Sequence, residues 1–153
     1  MKQKELQNVV RALSLLLVIL MCLSTLILLK SRQSSYQSYF DYHQGGKPIT
    51  VEFLGEMDTY KTVMRFVNIS LSVLAIGNGL ALSRVQMPPL KKCIILILVL
   101  CVFFVVPEVA CHFDPTSDAV VNYIDVPIIT GVLLVLSYLA GLFRSRRERQ
   151  ENC

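Results

Sequence analysis

Four apolar segments, each about as long as a membrane span, constrain this chain more than any other feature. They lie at about residues 9–30, 62–83, 93–112 and 124–143. A helix rises about 1.5 Å per residue, so roughly 20 apolar residues cross the ~30 Å hydrocarbon layer of a bilayer. Charged residues make up only 17% of the chain, against about 25% in a typical soluble domain. The sequence therefore predicts an all-α integral membrane protein, a single four-helix transmembrane bundle over residues 1–153.

The first apolar segment also has the basic leader that is typical of a signal peptide. Its largely apolar run, residues 12–29, is longer than the roughly 7 to 15 residues of a signal-peptide core. Lys-Ser-Arg follows it instead of a small-residue cleavage site. We therefore expect this segment to be retained as the first span.

Lys and Arg are distributed unevenly between the two sides of the predicted bundle. Four spans leave outer loops at 31–61 and 113–123, with a turn at 84–92 and a tail at 144–153 on the side of the N-terminus. Ten of the 15 Lys and Arg residues then lie on the side of the termini and five on the other side. The positive-inside rule predicts that both termini are cytoplasmic, in the plasma membrane or a secretory-pathway membrane. No nucleic-acid-binding motif accompanies the net charge of +4, so we expect no nucleic-acid partner.

The first outer loop, residues 31–61, supports two interpretations. It contains a turn signal at Gly45, Gly46 and Pro48, and apolar and polar residues alternate over 49–53. This alternation predicts a short β-strand or hairpin. Alternatively, the loop lies on the bilayer surface, because aromatic rings with a polar tip favour the interface. The aromatic residues concerned are Tyr36, Tyr39, Phe40 and Tyr42.

Small and polar residues recur at steps of three or four along the second segment, which places them on one stripe of a helix. The stripe consists of Asn68, Ser72, Ala75, Gly79 and Ser83, and the fourth segment has a similar pair, Ser137 and Gly141. Small residues at this spacing let membrane helices approach closely, and Asn or Ser can hydrogen-bond across the contact. We expect these seven residues to serve helix packing or a partner interface. A hydrophilic pathway lined by Asn68, Ser72 and Asn78 is the alternative.

Ionisable residues gather near the outer end of the third segment. Glu108 and His112 are four residues apart on one helix face, and Asp114 follows. Because charge within a span is costly, these residues are candidates for cation binding or pH sensing. In the simpler interpretation Glu108 is solvated or paired with Arg65. We predict no metal site, since one His and one carboxylate do not make a ligand set.

Two cysteines lie next to basic residues at the predicted cytoplasmic face. Cys93 and Cys153 are therefore candidates for palmitoylation, a modification of juxtamembrane cysteines. Free thiols are the alternative. In the fourth segment, Pro127 fits the first turn of a helix, where its missing amide hydrogen costs nothing.

The sequence contains no pattern that supports catalysis or cofactor binding. No nucleophile with a base, no pair of carboxylates at catalytic spacing and no phosphate-binding glycine loop is present. We therefore expect a non-enzymatic accessory subunit or organiser, with the lipid bilayer and another integral membrane protein, or a second copy, as its partners. The alternative is a small transporter or channel-forming subunit with a polar route near Glu108, Asn68 and Asn78.

Overall fold

The chain forms four long helices. The structure, a computed structural model, describes residues 3–46, 48–114 and 119–151. The helices are α1 (Gln3–Gly45), α2 (Val51–Arg84), α3 (Pro89–Cys111) and α4 (Ala119–Glu151). No strand occurs among the described residues. The predicted all-α bundle is confirmed.

Each helix contains an apolar window long enough to cross a bilayer. Only 22–33% of the residues in each window are buried within the chain. The other apolar residues therefore face outward, as expected where the surrounding solvent is lipid. The chain is a multi-pass membrane protein.

The four helices form a closed ring of contacts in the order α1, α2, α4, α3. The most extensive contact is between α2 and α4, whereas α1 and α4, which lie across the ring, hardly touch. Successive helices run in opposite directions, so α2 and α4 are parallel neighbours. Gln3 Oε1 accepts a hydrogen bond from the Gln86 backbone N–H (3.1 Å), which places the start of α1 beside the α2–α3 turn. We call this the turn end of the bundle, and the end where α1 leads into α2 the hairpin end.

Side chains from all four helices meet in one core. Its members are Leu17, Met21, Leu71, Ala75, Val99, Phe103 and Leu134. A second cluster at the turn end contains Val10, Leu82 and Val85. These contacts hold the four helices together at the middle of the bundle and at the turn end.

The region expected to be an outer loop is largely helical. The predicted strand around Ile49 to Phe53 is wrong: the Thr50 hydroxyl accepts a hydrogen bond from the Phe53 backbone N–H (3.2 Å) and caps α2, which begins at Val51. Thr is a good N-cap because its oxygen satisfies an amide that has no partner within the helix. The alternation of apolar and polar residues was too short to distinguish a strand from the first turn of a helix. We call residues 30–45 of α1 and 51–65 of α2 the helical hairpin.

Helix α4 begins earlier than the sequence suggested. It starts at Ala119, so Pro127 lies in the helix interior and not in the first turn. Pro107 is likewise inside α3. At the turn end, Pro89 occupies the first turn of α3, the position that proline favours. The prolines of this chain therefore mark a helix start at only one of these three positions.

Candidate functional site

The small residues of α2 lie against α4. A Cβ atom at Gly79 would contact the Ser137 hydroxyl and would stand 2.6 Å from the Leu134 carbonyl oxygen and 2.9 Å from the Tyr138 backbone nitrogen. One turn further along, a Cβ at Gly141 would contact the Ser83 hydroxyl and stand 2.7 Å from the Ser83 Cβ. Each helix thus places a glycine opposite a serine of the other, and the two backbones approach as closely as the missing side chains allow.

This contact lies within the chain. Ala75, Gly79 and Ser83 are buried, and the Ser137 hydroxyl is 3.5 Å from the Ala75 carbonyl oxygen. A partner protein could contact these residues only if α2 and α4 separated. These residues therefore pack α2 against α4, and a partner protein would bind to other surfaces of the chain.

The asparagines of α2 bond to serines of α1. Asn78 is 1% exposed and donates from Nδ2 to the Ser14 hydroxyl (3.0 Å). Nearer the hairpin end, Asn68 Oδ1 accepts from the Ser24 hydroxyl (3.4 Å). Ser72 donates to the Asn68 carbonyl oxygen within the same helix (2.9 Å). The two asparagines thus hold α1 and α2 in register.

The serines of α1 were not among the predicted packing residues. Ser31 and Ser35 continue the line of Ser24 into the helical hairpin, where their hydroxyls lie 3.9 and 3.0 Å from the Met57 sulfur. Spacings of seven and four residues place Ser24, Ser31 and Ser35 on one helix face. This spacing can be read from the sequence, but the predicted start of the outer loop at residue 31 separated Ser24 from Ser31 and Ser35.

The ionisable residues at the hairpin end have different surroundings. Glu108 lines a cleft of ≈ 270 Å³ between α3 and α4, together with Pro107, Cys111 and Pro127. His112 is exposed at the end of α3. No group of three or more His, Cys, Asp or Glu residues within the described parts of the chain is placed to hold a metal ion.

Asp114 contacts α1 instead. Its carboxylate is fully buried, and Oδ2 lies 2.6 Å from Nε of Arg32, an arginine that the sequence analysis did not single out. Gln33 Nε2 donates to the Phe113 carbonyl oxygen (3.3 Å). These two contacts tie the base of the helical hairpin to the end of α3.

The helical hairpin carries exposed aromatic side chains and charged side chains of both signs. At about 1.5 Å per residue, α1 is about 64 Å long, roughly twice the hydrocarbon thickness of a bilayer. The acidic and basic residues of the helical hairpin are equal in number, four of each: Asp41, Glu52, Glu56 and Asp58, and Lys30, Arg32, Lys61 and Arg65. The exposed aromatic residues are Tyr36, Tyr39, Phe40 and Tyr42. The His43 ring contacts two of these, with its centroid 4.2 Å from that of Tyr39 and 5.1 Å from that of Tyr42.

Lys92 has a structural role at the turn end. Its side chain is buried, and Nζ donates to the Ser83 carbonyl oxygen in the last turn of α2 (3.0 Å). Carbonyls at a helix end lack partners in their own helix and carry a partial negative charge, so a lysine there is favourable. This lysine was counted only as an orientation signal. Cys93 is exposed beside it, and Cys153 lies outside the described residues, so palmitoylation stays a prediction for both.

Comparison of this chain with known protein families, with curated proteins and with solved structures gives no match.

Proposed function

We propose that this protein is a non-enzymatic accessory subunit of a larger membrane complex, and that the helical hairpin is the element with which it binds a neighbouring membrane protein. The observation that carries the proposal is the continuation of α1 and α2 as a paired, anchored extension that presents exposed aromatic rings. Tyr and Phe are enriched at protein interfaces because they bury a large area with little loss of side-chain entropy.

The charges of the helical hairpin define the chemistry of the partner surface. Its four acidic residues are balanced by four basic ones, and the exposed charges on α2 include Glu52, Glu56 and Lys61. Complementary charge steers association and disfavours wrong partners. The partner surface should therefore be apolar with charges of both signs at its rim, on the part of a membrane protein that lies beyond the hairpin end.

The polar groups within the spans support an anchoring role for the bundle. The serine hydroxyls of α1 bond to amide and thioether groups of α2, and those of Ser83 and Ser137 bond to carbonyl oxygens. None of these bonds joins a serine to a histidine or a carboxylate, as activation for catalysis would require. The cleft that Glu108 lines contains neither Asn68 nor Asn78, so the residues of the alternative polar route do not share that cavity.

The test is affinity purification of the tagged chain from membranes solubilised in a mild detergent. The double variant Tyr39→Ser and Phe40→Ser removes two exposed rings of the helical hairpin. Phe143→Ser is the control, because Phe143 is also an exposed ring and lies at the other end of the bundle. We expect the amount of co-purifying membrane protein to fall at least roughly tenfold with the double variant, the loss expected when one interface hot spot is removed. The control should recover the same amount as the wild type. Recovery of the same proteins with the double variant, at equal expression, would refute the role of the helical hairpin.

A further inference from the structure

Glu108 lies in the apolar part of α3, near the hairpin end. Lys91 is exposed in the first turn of α3, and Glu108 follows it by 17 positions, three residues before the helix ends at Cys111. At about 1.5 Å per residue, the two residues are about 26 Å apart along the helix, less than the ~30 Å thickness of the hydrocarbon layer. With Lys91 at one surface of the bilayer, Glu108 is therefore within the hydrocarbon, close to the opposite surface.

Glu108 has no cationic partner within the described part of the chain. The ion pair at this end of the bundle joins Arg32 to Asp114. Arg65, the partner in the simpler interpretation, is exposed on α2, which lies across the ring of helices from α3. Among the described residues, Glu108 makes neither a hydrogen bond nor an ion pair. A carboxyl group in hydrocarbon without a partner is costly, so residues of this kind usually pair with a group of another helix.

The cleft between α3 and α4 places Glu108 beside an apolar surface that is open to the lipid. Phe103, Pro107 and Pro127 line the cleft and are buried. Phe104 also lines it, is 53% exposed and lies one helix turn closer to the bilayer centre than Glu108. Among the described residues that line the cleft, Glu108 is the only charged one, and its side chain is exposed. The cleft thus presents one accessible carboxyl group next to accessible apolar side chains.

We infer that this cleft binds a transmembrane helix of the partner protein, one that carries a lysine or arginine at the depth of Glu108. Ammonium and guanidinium groups donate hydrogen bonds and accept none, so they complement a carboxyl group that has no donor. Opposite charges within a membrane pair with one another. The same helix would cover Phe104 and Val105, which are 53% and 58% exposed. The inference rests on the proposed role of the chain as an accessory subunit and adds the chemistry of its contact within the bilayer.

The amine of a phospholipid headgroup fits this cleft less well than a helix does. Headgroup amines lie outside the hydrocarbon layer, whereas a transmembrane helix holds a lysine at a fixed depth within it. The exposed apolar residues of the cleft, Phe104 and Val105, lie closer to the bilayer centre than Glu108. A headgroup does not reach them, and the side of a helix does.

The test is the binding of synthetic transmembrane peptides to the purified full chain in phosphatidylcholine vesicles, measured by energy transfer between a dye on each. One peptide has roughly 20 residues of leucine and alanine with a lysine about 4 Å inside one end, and the other has leucine in place of that lysine. The wild type should bind the lysine peptide about tenfold more tightly than the leucine peptide. Equal binding of the two peptides would overturn the inference, and this comparison needs no variant that could fail to fold.

Two variants locate the preference at the cleft. Glu108→Gln keeps the shape of the side chain and removes its charge, so it should remove most of the preference for the lysine peptide. Asp125→Asn is the matched control. Asp125 is an exposed carboxylate of α4, but at about 100° per residue it points away from Ile124 and Pro127, which line the cleft. Asp125→Asn should keep the preference, and equal loss in both variants would overturn the inference, since it would indicate attraction by negative charge in general.

Stepwise replacement of phosphatidylcholine by phosphatidylethanolamine tests the headgroup alternative. Binding of the lysine peptide should be unchanged, and its displacement by the ethanolamine lipid would identify a headgroup as the occupant and overturn the inference. The assay contains no native partner, so its failure leaves the test of the helical hairpin unaffected. Conversely, the double variant Tyr39→Ser and Phe40→Ser should bind the lysine peptide as the wild type does.

Discussion

Helix α2 packs against its two neighbours by opposite means. Toward α1 it presents polar side chains, Asn68 and Asn78, which hydrogen-bond to serines. Toward α4 it presents Gly79 and Ser83, and the backbones approach closely because side chains are small or missing. In lipid neither contact gains hydrophobic free energy over solvation by acyl chains, so packing and hydrogen bonds must hold the helices together. Adding atoms should therefore damage the α4 contact, and removing atoms should damage the α1 contact.

The largest expected effect is at Gly79. Gly79→Leu forces a side chain into backbone atoms of α4, 2.6 and 2.9 Å from the first added carbon. Backbone atoms cannot move aside as a side chain can, so the free energy of unfolding should fall by about 3 kcal/mol, the upper end of overpacking effects. The measurement is unfolding by SDS in mixed micelles, followed by circular dichroism.

Gly77 provides the matched control for that substitution. It lies two residues away on the same helix, and a Cβ there meets nothing within 4 Å. Gly77→Leu should leave the unfolding curve close to that of the wild type. Equal destabilisation by both substitutions would mean that the loss of stability at Gly79 does not come from its contact with α4.

A smaller effect is expected at Gly141, because there the added carbon meets a side chain. Gly141→Ala should destabilise the bundle by about 2 kcal/mol through its clash with Ser83. Ser83→Gly in the same chain removes the opposing Cβ and should restore most of that loss. The double variant therefore exchanges which helix carries the glycine. Failure of Ser83→Gly to rescue would show that the two residues do not face each other.

The smallest effect is expected at the α1 contact. Ser14→Ala and Asn78→Leu each remove the hydrogen bond between Ser14 and Asn78. Hydrogen bonds between membrane helices average about 0.6 kcal/mol and reach about 1.7, so the coupling energy in a double-mutant cycle should be close to 1 kcal/mol. A coupling energy of zero would mean that this contact adds nothing to the packing of α1 on α2.

The sequence predicted the stripe on α2 but not the surface that it faces. Spacings of three and four residues identify Ala75, Gly79 and Ser83 as one helix face. Whether that face meets another helix of the same chain or a partner depends on which helices are neighbours. Contacts between α2 and α4 join residues more than 50 positions apart, such as Gly79 and Ser137, and no local pattern encodes such a pairing.

The site residues near the hairpin end show the same limit. Asp114 was grouped with Glu108 and His112 because the three are close in sequence, whereas its contact is with Arg32, 82 positions away.

The sequence by itself determined that this chain crosses a membrane with four helices. The reason is that spanning length and apolar composition are local properties, and a bilayer leaves few backbone structures other than helices. Only the tertiary structure decided that α2 pairs with α4 through matched glycines and serines, and that α1 and α2 continue as a helical hairpin. These features depend on which helix faces meet in the bundle. That in turn depends on the fit between side chains and backbones that are far apart in the sequence.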